Sequence, residues 1–421
     1  MISKVHLFKH LFTFIILSGS IFQFYFLKLE SSYFSINFLS LILISPVFFF
    51  KINIYLSKIF LTVTLLIGLM TISLVWSYDL KIGIKEIIWY CLFLAVYLYV
   101  YIYTIKYPLY MLHILNIYFY LLMALPISII VFYISPELEL NYLHSIMAKI
   151  FINPNLILQY TSGLLSNVSD VNKAGGLFFI NANVAGAYLG INYFILIGFY
   201  IAYKKKIYLL LSLISIVGLY FTGSKAVILI FILLNLMLLF RKLNIKKYLI
   251  ILGILLILVL YYFAGIIYTN CETNLNYSDL IKTTEIRFLI WDFGFIKFKE
   301  YPLTGLGYGG WINQFEYYAD LLNIQVFPPH NTMIALWSSS GIIAVICAII
   351  IMYYILKFAN KIQTKNNREL YGIGLAVFYS FSWVFIHGMG ENFGLFGDEH
   401  MKVILATLLG YSLARYKSIS K

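Results

Sequence analysis

Charge is what this chain has least of. Only 11% of its 421 residues are Asp, Glu, Lys or Arg, against 62% apolar and a mean hydropathy of +0.89. Soluble domains carry about a quarter charged residues, so this composition cannot cover a water-facing surface. Cysteine is nearly absent too. Cys91 and Cys347 fall in apolar runs and only Cys271 faces outward, which leaves no intrachain disulfide frame. No Cys/His cluster has zinc spacing, and no metal is expected. No Walker-type or dinucleotide-binding glycine motif is present, and every loop on one side of the chain is short. An ATP-driven transporter, a cytoplasmic nucleotide-sugar enzyme and any nucleotide cofactor are therefore disfavoured. The lack of a fixed-period repeat argues against a transporter built from inverted halves.

What is present is long apolar sequence. Runs of about 18 or more apolar residues read as membrane helices, and lipid admits only helices as isolated spans. Twelve candidates stand at 10–27, 33–50, 55–77, 87–105, 109–134, 184–203, 207–222, 225–240, 248–267, 332–356, 370–387 and 400–414. The first follows Lys4 and Lys9 without a small-residue cleavage site and reads as a retained helix. The expected fold class is an all-α integral membrane protein of about twelve helices.

The few charges set the orientation. With the N-terminus inside, the inner loops collect Lys204–Lys206, Arg241, Lys242, Lys246, Lys247, Lys357, Lys361, Lys365, Arg368, Arg415 and Lys417 against one acid, Glu369. This is the positive-inside pattern, with both termini cytoplasmic. The net charge of +13 then reflects topology and contact with anionic headgroups, not a nucleic acid partner. The chain divides into a five-helix region (1–134), a first long outer segment (135–183), central helices (184–267), a second long outer segment (268–331) and terminal helices (332–421). A short interfacial helix is expected near 143–152.

Chemistry-bearing residues concentrate in the outer segments. The second runs Arg287-Phe-Leu-Ile-Trp291, then Tyr301-Pro-Leu-Thr-Gly305-Leu-Gly307-Tyr-Gly309-Gly310, then Pro329-His330-Asn331. Apolar spacing predicts a helix over 285–298, with Arg287 and Trp291 on one face and Pro302 beyond its end. The glycines predict a flexible turn whose exposed amides offer an anion site. Asn331 is an expected N-cap, which puts His330 at a helix N-terminus, where the dipole favours neutral imidazole. The first outer segment ends Lys173-Ala-Gly175-Gly176-Leu-Phe-Phe-Ile-Asn181-Ala-Asn183, with paired glycines for a sharp turn and two asparagines able to cap the next helix. Lys225, at the head of an apolar run, either snorkels or faces an outer cavity. His387 and Glu391 stand four apart and can meet if that stretch is helical. Asp398, Glu399 and His400 form either a solvated loop or a further wall of the site.

In this order the motifs resemble the O-antigen ligase and O-antigen polymerase (Wzy-type) family of bacterial membrane glycosyltransferases. The resemblance covers about 170–400. It rests on Arg287…Trp291…Pro302-Leu-Thr-Gly305-Leu-Gly307-Tyr-Gly309, on Pro329-His330-Asn331-Thr…Leu336 and on Gly341-Ile. Gly176-Leu-Phe…Asn181-Ala-Asn183 is similar to the family's Gly-Leu-Phe-x-Asn-Pro-Asn, and Thr222-Gly-Ser224-Lys225 to its Ser-Arg motif. Lys173 and Lys225 stand where arginine is usual, keeping charge but losing bidentate phosphate geometry. Ala182 replaces the usual proline, with one extra residue before Asn181.

The resemblance implies a GT-C-like glycosyltransferase of the bacterial inner membrane, acting at its periplasmic face on a glycan linked to undecaprenyl diphosphate. Arg287, helped by Lys225 and Lys173, would hold the diphosphate as negative charge develops. His330 is the candidate base, with Glu391 or the leaving diphosphate as alternatives. Gly176, Asn181, Asn183, Trp291, Gly305, Gly307 and Asn331 would shape the substrate loop. No cofactor is expected, and inversion without a metal is. Polymerase is the first reading, ligase the second and a polysaccharide flippase the third. The implied partners are the lipid-linked oligosaccharide, membrane lipid and, for a polymerase, a chain-length-regulating co-polymerase.

Overall fold

The computed structural model describes residues 4–29, 32–46, 57–162, 172–241, 275–322 and 324–420. Helices dominate it. The order opens with α1 (Lys4–Ser18), strands β1 (Tyr25–Leu29) and β2 (Ser32–Ser35), and α2 (Ile36–Ile44). It continues with α3 (Lys58–Ile72), α4 (Leu80–Lys106), α5 (Pro108–Leu122) and α6 (Ala124–Ile134). Three short helices follow, α7 (Pro136–Leu143), α8 (Ile146–Phe151) and α9 (Pro154–Thr161), then α10 (Ala182–Tyr203), α11 (Lys206–Phe221) and α12 (Lys225–Phe240). The second outer segment supplies α13 (Leu275–Glu300) and α14 (Gly310–Leu322), and the chain ends with α15 (Thr332–Gln363), α16 (Arg368–Gly388) and α17 (Glu399–Ile419).

Among the described residues, six helical stretches are long and apolar enough to cross a membrane, and three more apolar helices are shorter. The expected span at 109–134 is α5 and α6 run together, as Pro108–Ile134. The one at 33–50 differs. Its first residues belong to β2, which pairs antiparallel with β1, Tyr25 opposite Ser35 and Leu29 opposite Ser32, and among the described residues the nine of α2 follow as α-helix. Aromatic residues in both short strands suit a pleated surface. The reading at 248–267, and Cys271, lie outside the described residues. Cys91 and Cys347 are free thiols.

Polarity sorts the two ends of the bundle. At one end Arg415 pairs with Glu369 at 2.6 Å, Arg368 donates to Ala202 O, Arg241 reaches Asn360, and Lys417 reaches Tyr101. The ends of α4, α10, α12, α15 and α17 and the start of α16 therefore share one basic layer. The start of α10, the end of α16 and the segment before α15 meet at the other end.

The packing of α10 on α16 fixes that second end. Gly198 and Gly372 face each other so closely that a Cβ on either would fall within about 2.5 Å of the other's carbonyl oxygen. Small residues at such a crossing let two membrane helices approach backbone to backbone. One face of Gly190 is covered in the same way by the Trp383 ring. This contact runs the length of both helices and carries Asn183 up to the residues that follow α16.

A second device seats the glycine turn. Gly341 breaks α15, with φ 80 and ψ 174, a region open essentially to glycine alone. A Cβ there would lie 1.8 Å from Leu303 O. The groups freed by the break pair with the turn: Ile342 N donates to Pro302 O, Leu306 N to Ser338 O, and the Trp337 indole to Tyr301 O. On its other side Asp79 N donates to Tyr308 O, Tyr308 N to Ser77 Oγ, and the Trp76 indole to Thr304 O. The turn is a wedge between α15 and the α3–α4 corner.

Candidate functional site

Four segments distant in sequence meet on Glu391. Arg287, on α13, donates from Nη2 to Glu391 Oε1 at 3.1 Å. Asn183, in the first turn of α10, donates from Nδ2 to the same oxygen at 2.9 Å. His330 lies with Nδ1 4.0 Å from the other oxygen, Oε2. Glu391 itself follows the end of α16 and is 7% exposed, so its partners must replace the water it has lost.

Local structure explains each placement. Arg287 and Trp291 share a face of α13, as their spacing predicts. While Arg287 holds Glu391, the Trp291 indole donates to Pro329 O at 3.2 Å and so pins the backbone just before His330. Asn331 caps α15, accepting from Met333 N and Ile334 N, and its own amide donates to Met389 O. One asparagine thus ties the start of α15 to the loop that carries Glu391. Between Pro329 and this cap, His330 adopts φ 47, a left-handed conformation that strains a residue with a side chain. Strain of this kind clusters at functional sites.

The electrostatics follow from burial. The imidazole of His330 is lowered to about 4, first by desolvation and then by the nearby Arg287 guanidinium. It is neutral near pH 7, so its approach to Glu391 is not an ion pair. Glu391 is raised above the usual carboxylate range because burial outweighs the pull of Arg287, Asn183 and Lys173. Two buried nitrogens here, Arg287 Nε and His330 Nδ1, have no hydrogen-bond partner among the described residues. Unsatisfied buried donors and acceptors are costly.

The first outer segment forms another wall. Asn181 caps α10 by accepting from Asn183 N at 2.8 Å; Asn183, read as a second cap, instead turns its side chain to Glu391. The Gly175–Gly176 turn is held by a residue that the sequence did not flag. Glu139, on α7, accepts from both amides, at 2.8 Å and 3.3 Å. Ser128 accepts from Leu177 N and the Tyr142 hydroxyl donates to Leu177 O. Gly176 has φ 76, and a Cβ there would press on Ile129 and Ser128. Two acids after an apolar run are the only sequence signal for Glu139, because its partners are backbone amides.

The two lysines are placed differently. Lys173 is half-buried and acts electrostatically on Glu391. Lys225 is exposed at the first position of α12, behind the cap Ser224. The Gly223 turn before it is seated on Asn172 O, so the segments bearing the two lysines touch. No hydrogen bond or ion pair joins Lys225 to Arg287, His330 or Glu391 among the described residues.

Three expectations are corrected. Gly305 and Gly307 are buried, and the amides of Gly305, Leu306, Tyr308 and Gly310 donate to protein acceptors. The glycine turn serves the fold and does not present these amides to an anion. His387 makes no hydrogen bond to Glu391; its ring is buried beside Trp383 and Phe393. Asp398 caps α17 and His400 Nδ1 contacts Ser20 O, so these two knit the fold together.

Comparison with known proteins covers the Arg287 and His330 side of this geometry and leaves out Asn183 and Glu391. Residues 210–349 match the family model for O-antigen ligase (Wzy_C), a stretch that contains Arg287, Trp291, the glycine turn and His330. A search of curated proteins finds no match. The matched stretch, 140 of the 421 residues, agrees with the quoted motifs and is similar to the O-antigen ligase family.

Proposed function

We propose that this protein is an O-antigen polymerase of the bacterial inner membrane, with both termini cytoplasmic and the Glu391 cluster at the periplasmic face. It would transfer a glycan from undecaprenyl diphosphate to a sugar hydroxyl of another lipid-linked repeat unit. The observation that carries this reading is the convergence of Arg287, Asn183 and His330 on buried Glu391, with Arg287 Nε and His330 Nδ1 unpaired among the described residues.

In this reading the acceptor oxygen attacks the anomeric carbon as the bond from that carbon to the phosphate oxygen breaks. Charge develops on the departing diphosphate, and Arg287, with Lys173 and Lys225 nearby, offsets it. The acceptor proton passes to His330, whose imidazolium then faces Glu391 Oε2. A diphosphate bound to Arg287 weakens that guanidinium's field on His330, so the loaded site raises the imidazole's proton affinity toward the useful range. Attack from the face opposite the leaving group inverts the anomeric centre, and the protein's own cations do the work that a metal would otherwise do.

What favours polymerase over ligase is the long first outer segment with its Gly176-Leu-Phe…Asn181-Ala-Asn183 element beside the second. The ligase reading, transfer to lipid A–core, is favoured by one observation, the description of the matching family model. Deleting the gene and examining lipopolysaccharide on gels separates them. Core carrying one repeat supports the polymerase. Bare core with polymer left on carrier lipid supports the ligase, and an unchanged ladder overturns both. A chain-length-regulating co-polymerase is the expected protein partner in the first case.

A further inference from the structure

We propose that a groove between α5 and α11, at the basic end of the bundle, holds the phosphate headgroup of an anionic membrane lipid. This cavity of about 250 Å³ is lined by His113, Asn116, Tyr120, Lys205, Tyr208 and Leu211 among others, with no acid in its wall. The length of α10, 22 residues, separates it from the Glu391 cluster by about 30 Å at the helical rise.

The groove is graded as a phospholipid is graded. Exposed Lys205 stands at its mouth, flanked by exposed Lys204 and Lys206. His113, also exposed, lies in the second turn of α5 and adds a ring N–H donor. Deeper in, the Tyr208 hydroxyl donates to Asn116 Oδ1, which turns the asparagine's Nδ2 donors to other use. Beyond these lie apolar side chains, with Ile117 and Tyr120 exposed along the outer flank of α5. The volume suits a glycerophosphate head, and the flank offers acyl chains a path outward.

Two physical arguments favour a lipid phosphate as the occupant. A membrane helix that turns an ionisable side chain outward leaves it costly unless it meets a polar partner, and His113 does this within the stretch Pro108–Ile134. Basic pockets between helices at the cytoplasmic surface are where anionic headgroups seat, each cation contributing about fivefold in affinity. Lys205 and His113 point away from the core, so replacing them leaves the packing of α5 and α11 intact.

The test uses the full-length protein in detergent and native mass spectrometry, with phosphatidylglycerol and phosphatidylcholine as probes and inorganic phosphate as competitor. The wild type should retain phosphatidylglycerol preferentially, and phosphate at the same concentration should not displace it. The double variant Lys205→Gln/His113→Gln should lose about tenfold or more of that preference, while Lys206→Gln, on the same loop, should keep it. Three results would overturn the proposal: undiminished preference in the double variant, an equal loss in Lys206→Gln, which would mean diffuse surface charge, or full displacement by phosphate.

Discussion

Asn183 donates its side-chain amide to the Glu391 oxygen that Arg287 also grips, at 2.9 Å and across 208 positions of sequence. This contact joins the first outer segment to the loop after α16, where Arg287 of the second outer segment also reaches. Removing it with Asn183→Ala should cost a hydrogen bond to a charged group, about 1.5–3 kcal/mol, or roughly ten- to hundredfold in transfer rate. Asn183→Asp should be worse at neutral pH, because two adjacent carboxylates resist joint ionisation, and it should recover in part as the pH falls. Turnover of lipid-linked donor by the purified variants would check this. An Asp variant as active as wild type would remove Asn183 from the site.

Arg287→Ala and His330→Ala should each abolish chain extension while leaving membrane insertion unchanged. Arg287→Lys should retain little activity, since lysine keeps the charge but not the planar fork. Lys173→Ala, acting on Glu391 from further off, should be milder. Lipopolysaccharide ladders from complemented deletion strains give the readout, with membrane abundance as the control. Normal chain length in either alanine variant would refute the assignment.

The pH dependence follows from His330, lowered from 6.5 to about 4. Because the folded state holds this proton more weakly than the unfolded chain, the unfolded chain protonates first on acidification. The stability tied to neutral His330 is intact above about 6.5 and is lost as the pH falls toward about 4. The acid limb of kcat/KM, which reports the free enzyme, should lie near the lower value, and that of kcat should lie higher once a diphosphate offsets Arg287. A limb unchanged in His330→Gln would assign it to another group.

Much of this was legible because local rules and tertiary needs coincide. Arg287 and Trp291 share a helix face by spacing alone, and Asn331 and Asn181 cap by residue type. The glycine turn misled because glycine spacing marks both ligand loops and close packing. Only the break at Gly341, far off in sequence, reveals that the turn is a wedge. Asn183 was readable as a cap, and its contact with Glu391 depends on the α10–α16 crossing, which no local pattern encodes. The hairpin of β1 and β2 hid inside apolar runs whose hydropathy cannot distinguish strand from helix.

The wedge makes its own prediction. Gly341→Ala places a methyl group where Leu303 O stands 1.8 Å away and forces a side chain into φ 80. Backbone strain alone costs about 1–3 kcal/mol, and the carbonyl must also move. The variant should accumulate poorly and unfold at lower temperature in detergent, whereas Gly68→Ala, with open space around its Cβ, should behave as wild type. Equal melting of the two would show that the break in α15 tolerates a side chain.

Glu139 offers the clearest separation of positioning from chemistry. Its carboxylate, raised by burial and lowered by the amides of Gly175 and Gly176, touches none of Arg287, His330 or Glu391. It acts through the turn that delivers Lys173 and Asn183. Glu139→Ala leaves two buried amides unsatisfied, about 1–3 kcal/mol each, and frees the turn to wander. Glu139→Gln keeps one acceptor oxygen and should restore most of the loss. A positioning role predicts a higher KM for the lipid-linked donor with a smaller fall in kcat, and an acid limb unchanged from wild type because His330 is untouched. If Glu139→Ala instead moved that limb, or glutamine failed to rescue, Glu139 would belong with the proton-handling groups and the division of labour drawn here would be wrong.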